Sequence, residues 1–197
     1  MSSATMAILT IGVVPLAGVL PLLTEHIREE QIAHISLLGE MTPDEVMAEY
    51  AVGDGEKGLL TLLSNNQLVM VSRQKIERDV RSAIAMLDRQ HYDVILLLSS
   101  EQLTGFTTHH AILLEPQRQK WLSLEKSPYY ALANPFTGSD SELLTAGKTL
   151  LEQGADVLVL DCLGYYQHHR DVLQKALDVP VLLSNVLVSR LAAELLV

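Results

Sequence analysis

Two stretches of the chain repeat one pattern: a helix, a turn, an aspartate and a short apolar run that ends at a small nucleophilic residue. The downstream copy is residues 156–162 and ends at Cys162, whereas the upstream copy is residues 93–99 and ends at Ser99. Apolar runs of this length, rich in branched aliphatic residues, are typical of buried strands rather than of helices. An internal repeat of this kind constrains the architecture more than any single motif does.

The repeat predicts an α/β fold with two pseudo-symmetric, Rossmann-like halves, each built on a parallel sheet. Ligands of open α/β sheets bind at the carboxyl ends of the strands. We therefore expect Ser99 and Cys162 to lie at equivalent strand ends that face a shared cleft. The first half is expected to comprise residues 1–100 with 184–197, and the second half residues 101–183.

Composition narrows the class of protein. The chain has 197 residues, of which 48% are hydrophobic, so it can bury a sizeable core. A net charge of −10 argues against a nucleic-acid partner, and no apolar run approaches the length of a membrane span. A single cysteine excludes an internal disulfide framework and suits a reducing compartment. The sequence thus predicts a cytoplasmic protein without nucleic-acid or membrane partners.

The other predicted elements fill out the two halves. We expect strands over residues 6–12, 31–38 and 178–184, a weak strand over 129–132, a β-hairpin from 59–63 and 68–71, and helices over 16–27, 42–50, 72–90, 140–154, 167–177 and 187–196. In the last helix, one face carries Leu187, Leu191, Leu195 and Val197 at helical spacing. This face is expected to cover the sheet of the first half, and a homo-oligomer is compatible with the pattern.

Small and polar residues collect at or just after the predicted strand ends. These candidates for substrate binding are Thr10, Gly12, Ser100, Gly164, Ser184 and Asn185. Hydroxyls, an amide and backbone N–H groups at this edge can orient a carboxylate. Gly12 has the simpler explanation of a tight turn. His168, His169 and Arg170 are further candidates to bind the carboxylate or to tune a thiolate, or they belong to an exposed helix start.

Cys162 and Ser99 are the two catalytic candidates. A thiol, with an ordinary pKa of ~8.5, can act as a base once its surroundings lower that value, whereas a serine hydroxyl needs an activating base. The single cysteine therefore disfavours racemisation by two bases and permits one-sided proton transfer. The alternative is that Cys162 is a small buried hydrophobic residue. We expect no cofactor. We also expect no metal, because the adjacent His109 and His110 point to different faces and chelate a metal ion poorly.

Several motifs together resemble the AroM family over nearly the whole chain. They are Leu9-Thr-Ile-Gly12, Met47-Ala-Glu-Tyr50, Asp161-Cys-Leu-Gly-Tyr165, Val179-Pro-Val-Leu-Leu-Ser-Asn185 and Arg190-Leu-Ala-Ala-Glu-Leu-Leu196. The resemblance implies a link to shikimate and aromatic amino-acid metabolism but no established reaction. The pattern of a strand, a cysteine and a glycine is also similar to that of the aspartate/glutamate racemase superfamily. Its members present one cysteine from each of two α/β halves to a single cleft.

The chain departs from these families in three places. Ser99 stands where the racemase pattern has a second cysteine, and Leu16 follows Pro15 where many AroM relatives have an arginine. An extra segment of the family, including the first strand of the second half, is missing where the chain reads Pro116-Gln117. We expect that these two residues are not neighbours in space, because the loss of a buried strand would be costly.

Two classes of function follow from the sequence. One is a cofactor-independent isomerase, racemase or decarboxylase that acts on a small carboxylate through Cys162. The other is a non-catalytic protein that binds a carboxylate metabolite or regulates in response to it. An activated Cys162 would react quickly with iodoacetamide near neutral pH, whereas a buried core cysteine would not.

Overall fold

A computed structural model of the chain describes residues 6–14, 16, 20–25, 27–99, 103–114, 129–162 and 164–195. Its strands are β1 (Met6–Thr10), β2 (Ile32–Ser36), β3 (Gly58–Leu62), β4 (Leu68–Ser72), β5 (Val94–Leu98), β6 (Ile112–Leu114), β7 (Leu158–Leu160) and β8 (Val181–Leu183). Its helices are α1 (Leu20–Thr24), α2 (Pro43–Tyr50), α3 (Arg73–Arg89), α4 (Asp140–Glu152), α5 (Gln167–Leu177) and α6 (Ser184–Glu194). The predicted α/β fold is confirmed.

The main sheet has four parallel strands in the order β2-β1-β5-β6. Strands β1 and β5 lie at its centre and are buried along their whole length, as their continuous apolar sequences predict. Alternate residues enter two separate apolar clusters: Ile8 and Leu96 pack on one face, and Leu9 and Leu97 on the other. This sheet is therefore covered on both faces.

A second, smaller parallel sheet consists of β7 and β8. On one of its faces, Leu158 and Leu183 are buried in a cluster with residues of α4 and α5. On its other face, Val159 is 36% exposed and Leu182 is 38% exposed. The described part of this sheet is thus covered on one face only.

An antiparallel hairpin, β3 and β4, lies beside the carboxyl end of β1. Its inner face packs Leu59 and Val71 into the main core, whereas Leu60 and Met70 on the outer face are half exposed. The backbone N–H of Val13, just after β1, donates to the carbonyl of Leu62 at 2.8 Å. The hairpin is therefore fastened to the loop that follows the first strand.

The C-terminal helix covers the main sheet as predicted, but with a different face. Val188 and Ala192 are the residues of α6 that enter the core of the first half. Leu187 is 44% exposed, Leu191 42% and Leu195 43%, so the predicted contact face is wrong for these three residues. Val197 lies outside the described residues. Val188 and Ala192 are four residues apart and therefore share one face of the helix, just as the three leucines share another. Spacing alone thus fits either face.

Three other boundaries differ from the prediction. Residues 129–132 form no strand but an irregular segment, in which Leu132 is 98% exposed. The predicted helix 16–27 is observed only as α1. The last strand ends at Leu183, and Ser184 begins α6. Pro116 and Gln117 lie outside the described residues, so their separation stays a prediction. Within the described chain, no helix is long and apolar enough to cross a membrane.

Candidate functional site

A small cavity of about 190 Å³ lies where β1, β5 and the hairpin meet the loop after β7. Its walls include both catalytic candidates, Ser99 from the end of β5 and Cys162 from the end of β7. Most of the other lining residues are aliphatic, and the hydroxyl-bearing Thr61 comes from the hairpin. The two ends of the internal repeat therefore reach one cavity.

Cys162 also lines a second, wider and more open cavity of about 860 Å³. Residues 131–138 form one wall of this open cavity, and the hydroxyl-bearing side of α4, with Ser141, Thr145 and Thr149, forms another. Leu60 and Phe136 line both cavities together with Cys162. The thiol, which is partly exposed, thus lies between a small apolar cavity and a wider cavity that is lined by both apolar and hydroxyl-bearing residues.

The loop that carries Cys162 is held by close packing against residues 133–136. A Cβ atom on Gly164 would lie 2.6 Å from the ring of Phe136 and 2.7 Å from Pro135, so only glycine fits there. The hydroxyl of Tyr165 donates to the carbonyl of Ala133 at 2.6 Å. Burial, and then the nearby Cys162, raise the pKa of Tyr165 to about 12, so its hydroxyl keeps its proton and its hydrogen bond.

Gly12 lines the small cavity because another strand approaches it closely. A Cβ atom at this position would collide with the carbonyl of Leu62 and would lie 2.5 Å from the hydroxyl oxygen of Thr61. The glycine therefore permits the hairpin to close over the end of β1. This close approach explains the glycine without a role in substrate binding and without a tight turn.

The remaining predicted strand-end residues lie elsewhere. Thr10 is fully buried, and its hydroxyl forms a 3.1 Å hydrogen bond with Nε2 of His34, whose pKa is lowered by burial. Ser184 is buried at the start of α6 and lines neither cavity. Asn185 lies in the first turn of α6, and its side chain is outside the described set. Ser100 also lies outside the described residues.

Neither His168 nor Arg170 lies on the wall of either cavity. His168 is about half exposed, and its Nε2 lies 3.1 Å from a carboxylate oxygen of Asp140. The Nε of Arg170 donates to Oε1 of Gln174 at 3.5 Å, one turn along the same helix. Their observed contacts are those of an exposed helix start, which is the second of the two interpretations given above.

His169, the third candidate on this helix, is nine-tenths buried and lines neither cavity. Its Nδ1 accepts a hydrogen bond from the backbone N–H of Tyr166 at 3.1 Å and so caps the start of α5. Burial lowers its pKa, followed by the charge of His168, so the neutral imidazole is favoured. His169 lies four residues before the buried Leu173, so both belong to the buried face of α5.

The small cavity offers few charged groups. Among its described lining residues, Cys162 is the one with an ionisable side chain, and none is Lys, Arg, His, Asp or Glu. The described part of the chain also holds no group of three or more His, Cys, Asp or Glu side chains placed to bind a metal ion. A ligand in this cavity would therefore meet a thiol, two hydroxyls and aliphatic surface.

A comparison with models of protein families shows to which family the chain belongs. The family model described as AroM protein matches residues 6–119 and residues 116–196. The chain belongs to the AroM family. The two matched segments meet at residues 116–119, where the sequence analysis expects AroM relatives to carry an extra segment. No curated protein and no solved structure matches the chain.

The family match covers both strand ends that line the small cavity. The match includes both copies of the internal repeat, one in each matched segment. Cys162 and Ser99 therefore both belong to the AroM portion of the chain. The reaction itself is not defined by the family match.

Proposed function

We propose that this AroM protein catalyses one-sided proton transfer on a small carboxylate, without a cofactor, and that Cys162 is the acid or base. The observation that supports this most is the place of the thiol, on the shared wall of a small apolar cavity and an open one. Substrate can enter through the open cavity and place its reacting carbon beside the thiol. Isomerases, racemase-like enzymes and decarboxylases all use such a step.

The neutral walls of the small cavity favour decarboxylation within this group. Among the described lining residues, a carboxylate loses its water and meets no cation in return, so its charged form is destabilised. In a substrate whose α-carbon also carries a second carboxylate or carbonyl group, breaking the bond between the α-carbon and the first carboxylate releases CO2, and the second group takes up the electron pair as an enolate. The thiol of Cys162 then gives its proton to that carbon, and the resulting thiolate takes a proton from water.

The proposed chemistry also suggests where the protein works. It requires Cys162 in its reduced form, which the reducing cytoplasm maintains. We place the protein there, and we connect it to the shikimate and aromatic amino-acid pathway through its AroM membership. Intermediates of that pathway are accordingly the first ligands to test.

The test begins with a thermal-shift screen of small mono- and dicarboxylates, including shikimate-pathway intermediates, because a ligand of the folded state raises its stability. Each binder is then incubated in deuterated water, and deuterium at the α-carbon is followed by mass spectrometry. We expect Cys162→Ser to lose ~10²–10⁴-fold in rate, which is the usual contribution of a positioned acid or base. Its affinity and unfolding temperature should stay near those of the parent.

A control variant makes this result interpretable. Ser82→Ala removes an exposed hydroxyl of α3 that donates to the carbonyl of Arg78 and lines neither cavity, so it should leave the rate unchanged. If Cys162→Ser exchanges deuterium as fast as the parent protein, Cys162 is not the proton-transfer group and the proposal is wrong.

A second candidate function is the binding of a carboxylate metabolite without catalysis. It is favoured because the equivalent strand end that lines the same cavity carries Ser99 rather than a second cysteine. Binders that raise the unfolding temperature but incorporate no deuterium and release no CO2 would support this candidate over the enzyme.

A further inference from the structure

Thr61 carries a buried hydroxyl that makes no hydrogen bond to any other described residue. Its side chain is 8% exposed and lines the small cavity beside Ser99 and Cys162. Buried polar groups are hydrogen-bonded in most proteins, so an exception requires an explanation. Burying such a hydroxyl without a partner costs roughly 1–3 kcal/mol by protein mutational data.

The local sequence does not require a hydroxyl at this position. Along β3, Leu59 and Thr61 point inwards, and Thr61 pairs with Val69 of β4. Leu59 and Val71 on the same inner face are fully apolar and buried. Valine has almost the same shape as threonine and a strong preference for strands, so it would satisfy the hairpin better.

The position of the hydroxyl relates it to the cavity. The Thr61 oxygen lies where a side chain on Gly12 would project, 2.5 Å from an ideal Cβ at that position. The glycine thus leaves room next to the hydroxyl at the end of β1. A hydroxyl that has no protein partner and borders a cavity can donate to a ligand that enters it.

We propose that Thr61 is a ligand-binding residue that donates a hydrogen bond to a carboxylate oxygen in the small cavity. This makes the β3–β4 hairpin part of the site and deepens the proposed function, on which it rests. A hydrogen bond to a charged group is stronger than one between neutral groups. In a cavity whose described lining holds no cation, it offsets part of the loss of water around the carboxylate.

Alkylation of the single cysteine provides the test. Iodoacetate carries a carboxylate and iodoacetamide is its neutral counterpart, and both react with Cys162. Intact-mass spectrometry measures both rates in the full chain, and their ratio is divided by the same ratio for N-acetylcysteine. We expect the parent protein to favour iodoacetate relative to N-acetylcysteine. Thr61→Val should lower this corrected ratio about tenfold, the factor that corresponds to a loss of 1.4 kcal/mol.

Two variants separate the hydroxyl from the shape of the cavity. Thr61→Ser keeps the hydroxyl and should retain most of the preference. Thr24→Val removes an exposed hydroxyl that donates to the carbonyl of Leu20 and lines neither cavity, and it should change nothing. The iodoacetamide rate of Thr61→Val should equal that of the parent, because the substitution preserves volume.

The stability of the empty protein gives a second measurement. Removing an unpaired buried hydroxyl should raise the unfolding temperature of Thr61→Val by roughly 2–4 °C. A lower unfolding temperature would show that the hydroxyl has a structural partner, such as a water molecule, and would overturn the proposal. A parent protein without preference for iodoacetate, or a preference that survives in Thr61→Val, would also overturn it. Neither result depends on deuterium exchange, so failure here is distinct from failure of the proposed reaction.

Discussion

The two parallel sheets of this protein both lead to the small cavity, but they differ in how far their faces are buried. The main sheet buries both faces, with Leu96 and Leu97 pointing into separate apolar clusters. The β7–β8 sheet buries Leu158 and Leu183 on one face and leaves Val159 and Leu182 partly exposed on the other. Parallel sheets are normally covered on both faces. Among the described residues, the sheet that leads to Cys162 is therefore the less fully covered of the two.

This difference bears on how the site is held together. Ser99 ends a central strand of the main sheet, with a neighbouring strand on each side. Cys162 ends a strand of a two-stranded sheet, and the surrounding loop depends on Gly164 and Tyr165 packing against residues 133–136. The position of the thiol consequently relies on loop contacts, whereas that of Ser99 relies on the core. Substitutions in the two halves should reveal this asymmetry.

The largest expected effect separates the two sheets directly. Leu96→Ala should reduce the free energy of unfolding by about 2–5 kcal/mol, because it leaves a cavity in a fully buried core. The matched change Leu182→Ala, on the exposed face of β8, should cost only about 0.5 kcal/mol. Urea unfolding curves of both variants measure the difference. A comparable loss in Leu182→Ala would indicate that this face is covered in solution, for example by a second copy of the chain.

A smaller effect is expected at the loop before β6. The carboxylate of Asp88, at the end of α3, accepts backbone N–H bonds from His109, His110 and Ala111 at 2.8–2.9 Å. These bonds lower its pKa to about 2. Asp88→Ala should cost on the order of 2 kcal/mol, because the buried N–H of Ala111 loses its partner.

The control for this variant is a nearby carboxylate without such bonds. Asp93 has a side chain that is 59% exposed and lies 3.9 Å from His110. Asp93→Ala should change the free energy of unfolding by less than about 0.5 kcal/mol, as surface substitutions usually do. Equal losses in both variants would contradict the assigned role of Asp88.

Much of the fold was accessible from the sequence because it depends on local patterns. The apolar runs of β1 and β5, flanked by turns, predicted central strands, and the Ser64-Asn65-Asn66 turn predicted the hairpin. Thr42 stands directly before Pro43, Asp44 and Glu45, which is a typical helix start, and its backbone N–H donates to Glu45 at 2.7 Å in a capping box. In such cases, the residues that determine the structure are close together in the chain.

The features that the sequence could not supply depend on contacts between distant elements. Helix α6 is apolar on two sides, so its spacing alone could not distinguish Leu191, which is exposed, from Ala192, which is buried. Thr61 is a common residue type in strands, so the sequence did not single it out. Its burial near Gly12 and on the wall of the cavity that Cys162 lines identifies it as a candidate for ligand binding. Helical spacing shows which residues share a face, whereas the packing partner decides which face is buried.

The smallest expected effect is a difference in how the stability of the two sheets and their helices depends on pH. His169 has a lowered pKa, so the unfolded chain binds a proton more readily than the folded one. Its stabilising contribution is complete above the ordinary histidine pKa of ~6.5 and declines as the pH falls below that value. Asp88, with a folded pKa of about 2, keeps its contribution above its ordinary pKa and loses it only as the pH falls towards 2. Mild acid should therefore loosen the second half first.

Hydrogen exchange at pH 7.5 and pH 5, corrected for the intrinsic pH dependence, measures this difference. Protection of α5, which His169 caps, should fall severalfold at the lower pH, whereas protection of α3 and the loop before β6 should hold. His169→Asn retains an acceptor for the Tyr166 N–H without titrating, so it should remove the pH response of α5. His168→Gln, which changes the exposed neighbour beside Asp140, should largely retain it. If α3 and α5 lose protection in parallel, the two halves open as one unit, and the asymmetry between the sheets does not extend to their unfolding.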